Sequence, residues 1–249
     1  MRVTRGHVPA PLRAGELRLL PAALAAHIAR VLRAQVGDQL TLFDGSGGEY
    51  LARIVELDAR AVRVRVEEHR AIERESPLSV TLLQALARTE RMDLIVQKAT
   101  ELGVAGILAW PAERSVARLD AAARGKRCEH WRAIAIAACE QCGRNRIPMI
   151  EAAASLDAAF TAAVGVKLLL DPTADQSLAT LLTSQRSAPQ PEPLQLLIGP
   201  EGGFSPAELA QATAAGFRRC HLGPRVLRTE TAPLAALAAI QTLAGDFRR

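Results

Sequence analysis

The chain has 249 residues, 49% of them hydrophobic, and a formal charge of +5. That length suits one large domain or two small ones with a sizeable core, and the mild positive balance favours an anionic partner such as nucleic acid. No apolar run reaches the roughly 20 residues that span a membrane, MRVTRGHVPAPLR lacks the apolar stretch of a secretory leader, and four cysteines make no secreted disulfide framework, so a cytoplasmic protein with free thiols is expected.

Along the first 73 residues the pattern is mainly of strands. Residues 17–20 (LRLL) predict a short strand, and 21–34 a helix with Leu24, Ile28, Val31 and Leu32 on one face. Strands follow at 39–43, 48–57 and 61–67, the first two joined by Asp44-Gly45-Ser46-Gly47-Gly48, a hairpin signal. Val62, Val64 and Val66 alternate with Arg63 and Arg65, which gives one apolar and one basic face. This is a small β-rich module, read as a barrel.

A charged connector at 70–77 (RAIERESP) places a boundary near residue 73, so the expected domains are 1–73 and 74–249. Beyond it, strands at 78–84, 105–109, 166–170, 194–198 and 218–222 alternate with helices near 90–102, 126–141, 175–184, 205–215 and 230–244. That alternation predicts a parallel α/β sheet. Residues 186–193 (RSAPQPEP) are a proline-rich surface loop.

Two strand ends carry glycine-bearing loops. In LLIGPEGGFSPAE (196–208) an apolar strand runs into Gly199-Pro200-Glu201-Gly202-Gly203, and a helix opens with Ser205 as N-cap, Pro206 at the first position and Glu208 at the third. The spacing fits neither the dinucleotide fingerprint nor a Walker loop. In CHLGPRVLRTETAPLAALAAIQ (220–241), Gly223-Pro224 precedes Arg225 and Arg228, and Thr229 or Thr231 is the candidate cap of an Ala-rich helix. Loops at the C-terminal ends of parallel strands are where such sheets bind ligands. Each loop taken alone also reads as an ordinary strand–helix turn. Gly103 marks a helix stop. Cys139 and Cys142 form a lone CxxC without a second ligand pair, so no metal is expected. Arg144 and Arg146, near Gln141 and Asn145, suit RNA contact at a helix end.

These segments resemble the RsmE family, the 16S ribosomal RNA (uracil-N3)-methyltransferases of the SPOUT class. IGPEGGFSPAE and LGPRVLRTETA look like its paired signature loops, and ESPLSVTLLQAL, QKATELGV and IAIAACEQCGRNRIP resemble it in the same order. The resemblance implies an α/β fold: an N-terminal PUA-like RNA-binding β-barrel and a C-terminal SPOUT domain with a mostly parallel sheet and a trefoil knot. It implies S-adenosylmethionine as methyl donor, 16S rRNA of the small ribosomal subunit as partner, a homodimer, and methylation of N3 of uridine 1498. The implied donor pocket uses Ile198, Gly199, Glu201, Gly202 and Gly203 with Leu222, Gly223, Arg225, Val226 and Leu227. Arg228 is the expected stabiliser of charge on the base and Glu230 the proton acceptor, while Arg2, Arg5, Arg144 and Arg146 are expected to hold RNA. Pro233 stands where many relatives carry Ala or Thr, and a proline there would tilt the last helix. Methylation of a ribose 2′-OH or guanine N1 by the same fold, and a non-catalytic RNA-binding module, stay open as alternatives.

Overall fold

A computed structural model describes residues 4–58, 61–116, 120–160, 165–183 and 192–248. The chain forms two compact units, Met1–Glu75 with Cys139–Ile147, and Ser76–Ala138 with Pro148–Arg249.

In the first unit, β1 (Thr4–His7), β2 (Leu17–Leu19), β3 (Gln39–Phe43), β4 (Glu49–Leu57) and β5 (Val62–Arg70) form one sheet in the order β1-β3-β4-β5-β2. The glycine-rich turn joins β3 and β4 as an antiparallel pair. Val62, Val64 and Val66 are fully buried while Arg63 and Arg65 are exposed, as period-2 alternation requires. The valines pack with Leu40, Leu42, Ile54 and Ile28 in a single core. β1 pairs parallel with β3 and was not legible in TRGH, which has no apolar alternation of its own. The helix expected over 21–34 is shorter. Regular α1 (Ala22–Ala26) gives way to a π-helical turn over His27–Val31. The wider turn adds a residue to the repeat, so Ile28 stays buried while Val31 and Leu32 swing out to solvent.

In the second unit, β6 (Val80–Ala85), β7 (Gly106–Trp110), β8 (Met149–Ala152), β9 (Val166–Leu170), β10 (Leu194–Ile198) and β11 (Arg218–Cys220) form a sheet in the order β11-β9-β10-β6-β7-β8. Its pairings are parallel throughout. Leu82, Leu83, Leu168, Leu169, Leu196 and Leu197 are buried, because helices cover both faces of such a sheet and its strands read as continuous apolar runs. The helices are α2 (Thr89–Glu101), α3 (Ala121–Cys142), α4 (Leu156–Ala159), α5 (Leu178–Thr183), α6 (Pro206–Ala214) and α7 (Thr231–Leu243). Edge strand β8 and the one-turn α4 escaped the sequence pattern because they are short and half-exposed.

Local signals set the helix ends near the two loops. Ser205 accepts from the Glu208 N–H, and the Glu208 carboxylate accepts from the Ser205 N–H, which completes the capping box of α6. α2 stops at Leu102, and Gly103 follows at φ +81°. Pro233 is the third residue of α7, where its missing N–H would have had no intrahelical partner.

Candidate active site

The C-terminal ends of β9, β10 and β11 surround a cavity of about 670 Å³. The two glycine-bearing loops do not sit on adjacent strands, since β9 lies between β10 and β11. Its end, Leu170-Asp171-Pro172-Thr173, supplies part of the lining and was missed by the sequence reading. The clue was an apolar run, VKLLL, stopping abruptly at Asp-Pro-Thr, the same strand-end pattern as in the other two loops. The β11 loop is bonded along this neighbour: Asp171 N donates to the Cys220 carbonyl, His221 N to Gln176 O, and Leu178 N to His221 O.

Of the residues expected at a donor pocket, Ile198, Gly199, Glu201, Gly203, Leu222, Gly223, Arg225, Val226 and Leu227 line the cavity, and so does Arg228. Gly202 does not line it. Its Cα faces Arg114, whose Cβ would lie 3.0 Å from an added methyl, so this glycine serves loop packing. Gly199 has a similar task, making room for the Phe204 ring, which stacks on Trp110 at 6.1 Å between centroids. Gly203 and Gly223 have open space around them, and glycine is needed there for φ values of +69° and +108°.

Neither Thr229 nor Thr231, the two candidates offered by the sequence, caps α7. Glu230 occupies the N-cap of α7 without a side-chain cap bond. The buried Thr229 hydroxyl instead donates to the Gly199 carbonyl at 3.0 Å and accepts from Gln84 Nε2 at 3.2 Å. One hydroxyl thereby joins the end of β6 to both loops. His221 Nδ1 accepts from the Gly223 N–H at 3.0 Å and holds the left-handed turn.

The charges are also organised. Burial raises the pKa of the Asp171 carboxyl, but bonds from the Thr173 N–H and hydroxyl and from Arg219 outweigh it and hold it below its ordinary value. Arg91, in the first turn of α2, lies 2.6 Å from Glu201 and 3.7 Å from Glu230. Glu230 is outside the cavity lining, and its buried Oε2 makes no hydrogen bond among the described residues. Arg225, Val226 and Arg228 are exposed at the rim, Val226 at 81%. Cys220 lines the floor, with its thiol pushed up to about 12 by burial.

The RNA methyltransferase domain family matches residues 74–241, and the RNA methyltransferase PUA domain family matches residues 20–67. A ribosomal RNA small subunit methyltransferase E from Mycobacterium bovis is 38% identical over 225 residues, covering 87% of this chain and 83% of its own length. The chain belongs to the ribosomal RNA small subunit methyltransferase E family. Two solved structures related to it superimpose over 99% of this chain and all of their own. One, from Legionella pneumophila, was determined in complex with the bound cofactor SAM (TM-score 0.89, 40% identity). The other is the family member from Neisseria gonorrhoeae bound to S-adenosyl methionine (TM-score 0.86, 36% identity). The α/β architecture is therefore the expected SPOUT domain with a PUA-like N-terminal module, and a trefoil knot fits its parallel sheet.

The arginines expected to hold RNA separate into distinct groups in this family member. Arg2 lies outside the described residues. Arg5 and Arg144 are engaged within the first unit, Arg144 buried and Arg5 largely so. The Arg5 side chain, 11% exposed, pairs with Glu49 at 2.7 Å, donates to the Arg144 carbonyl at 2.8 Å and bonds Asn145. Arg144 is held by Glu75 through Nε at 2.9 Å and a second nitrogen at 2.5 Å. These bonds to carboxylates and carbonyls anchor Cys139–Ile147 onto the sheet, through the two terminal nitrogens of Arg5 and through Arg144. Arg146 remains mostly exposed, with Glu73 at 3.5 Å. Of the CxxC pair, Cys139 is buried, its thiol pushed up to about 12 by burial and placed 3.6 Å from the Arg146 carbonyl.

Proposed function

We propose that this chain transfers the methyl group of S-adenosylmethionine to N3 of uridine 1498 in 16S ribosomal RNA of the small subunit. The observation that carries the reading is the cavity of about 670 Å³ closed by two glycine-bearing loops at parallel strand ends. That volume is within the range of small-molecule sites. Its composition suits the donor: Leu170, Ile198, Leu222 and Leu227 offer an apolar slot for adenine, and the charged rim suits the methionyl ammonium and carboxylate. The SAM-bound family member from Neisseria gonorrhoeae supports the same reading.

When bound, the donor supplies a methyl group on a positively charged sulfur, ready for attack by a nitrogen lone pair. The chain's own task is to position that methyl against the base and to handle one proton. N3 of uracil carries a hydrogen that must leave. We assign its uptake to Glu230, whose Oε2 lacks a hydrogen bond among the described residues. Charge that develops on the uracil carbonyls falls to Arg228. Its backbone is fixed because its carbonyl accepts from the Thr231 and Ala232 N–H groups, while its side chain stands at the rim. Arg63, Arg65 and Arg146, exposed on the first unit, are the groups assigned to RNA phosphates. A homodimer is proposed from α7, whose Leu234, Ala235, Ala238 and Ala239 are only half-buried in the single chain, and light scattering tests it. No helix of the described residues is long and apolar enough to cross a membrane.

The deciding experiment is mass spectrometry of nucleosides from 16S RNA of a deletion strain. Loss of 3-methyluridine, with other methylated nucleosides unchanged, is expected. Loss of a ribose-methylated or guanine-methylated nucleoside instead would overturn the assignment of the atom.

A further inference from the structure

The two loops that form the cavity each carry one carboxylate, Glu201 on the β10 loop and Glu230 at the start of α7, and a single cation reaches both. Arg91 approaches Glu201 through one terminal nitrogen at 2.6 Å and Glu230 through Nε at 3.7 Å. The three side chains are between 17% and 28% exposed, so solvent screens them only in part. Without the guanidinium, two like charges would stand together at the junction of the loops. Arg91 comes from neither loop. It sits on α2, a regular helix whose buried Met92, Ile95, Val96 and Ala99 fix its place in the core.

We propose that Arg91 is a positioning residue that clamps the β10 loop to the β11 loop, so that the donor cavity and the Glu230 carboxylate are assembled together. Ion pairs between long side chains contribute little to the stability of a fold, because ordering both side chains offsets much of the attraction. They are nevertheless strong enough to shift a loop between closed and open arrangements, which is the quantity that binding reads. A guanidinium is suited to the task because its separate nitrogens meet two carboxylates at once, whereas an ammonium is a point charge. The clamp rests on the functional reading above, since its ligand is the methyl donor.

The test is calorimetric titration of S-adenosylmethionine into the full chain and into Arg91→Met, Arg91→Lys, Glu201→Gln and Arg91→Met/Glu201→Gln. Arg91→Met is expected to raise the donor Kd roughly five- to tenfold, with Arg91→Lys recovering part of the loss. Arg91→Met combined with Glu201→Gln should be no worse than Arg91→Met alone, because both remove one interaction. Melting temperatures should stay within about 2 °C of the wild type, which separates a clamp from a fold defect. In steady state, kcat should fall as well as the donor KM rising, since Glu230 loses its neighbour. A Kd within twofold of wild type for Arg91→Met, or Arg91 and Glu201 effects that simply multiply, would overturn the clamp and leave the function standing. A wild-type chain with no affinity for the donor would overturn the function itself, and the clamp with it.

Discussion

Replacing Thr229 by valine removes one hydroxyl and keeps the shape of the side chain. In the structure that hydroxyl gives a hydrogen bond to Gly199 O at 3.0 Å and receives one from Gln84 Nε2 at 3.2 Å, in a site where Thr229 is 5% exposed. Each neutral bond contributes about 0.5–1.5 kcal/mol net. Gln84 Nε2 keeps its bond to the Ala85 carbonyl, so that partner is not stranded. The expected loss is therefore about 1.5 kcal/mol, or a melting temperature lower by roughly 3–6 °C for a chain of this size. Donor binding should weaken further than stability alone requires, because the bond to Gly199 ties one loop to the other. Differential scanning calorimetry with and without S-adenosylmethionine measures both effects. Thr229→Ser, which keeps the hydroxyl, is the control and should stay near wild type in donor affinity. If Thr229→Val melts within 1 °C of wild type and binds the donor equally well, the reasoning about this junction fails.

Two glycine-to-alanine changes should act in opposite directions. Gly223→Ala meets no neighbour but must hold φ at +108°, and should cost about 1–3 kcal/mol and reduce donor affinity, whereas Gly125→Ala at an exposed position of α3 should stabilise by about 0.5–1 kcal/mol in urea unfolding. Arg5→Ala should cost about 1.5–3 kcal/mol by the same measurement, because Glu49 and the Arg144 carbonyl lose a largely buried cation while Arg74 still faces Glu49 at 3.0 Å. An unchanged unfolding midpoint with weakened RNA binding would restore Arg5 to the RNA interface. Asp171 has its folded pKa held down, so its contribution is complete above the ordinary carboxylate range and is lost as the pH falls through the lower folded value. Melting temperature followed below about pH 4 should therefore drop more steeply for the wild type than for Asp171→Asn.

The sequence by itself determined whatever depends on neighbours a few residues away. Val62, Val64 and Val66 announced a half-buried strand, apolar LQLLI a strand covered on both faces, and Ser205 with Glu208 a helix start, and each is written in a pattern of four or five neighbouring positions. Part of the cavity was legible for the same reason, since Gly203 and Gly223 mark turns whose backbone angles are set locally. Tertiary structure alone decided what comes from distant segments meeting. That β9 lies between the loops, that Thr229 bonds a carbonyl 30 positions away, and that Arg91 reaches a carboxylate 110 positions away have no local signature. The fate of Arg5 and Arg144 is the clearest case. An arginine reads as a surface cation until the chain folds carboxylates around it, and burial follows from the partner, not from the residue.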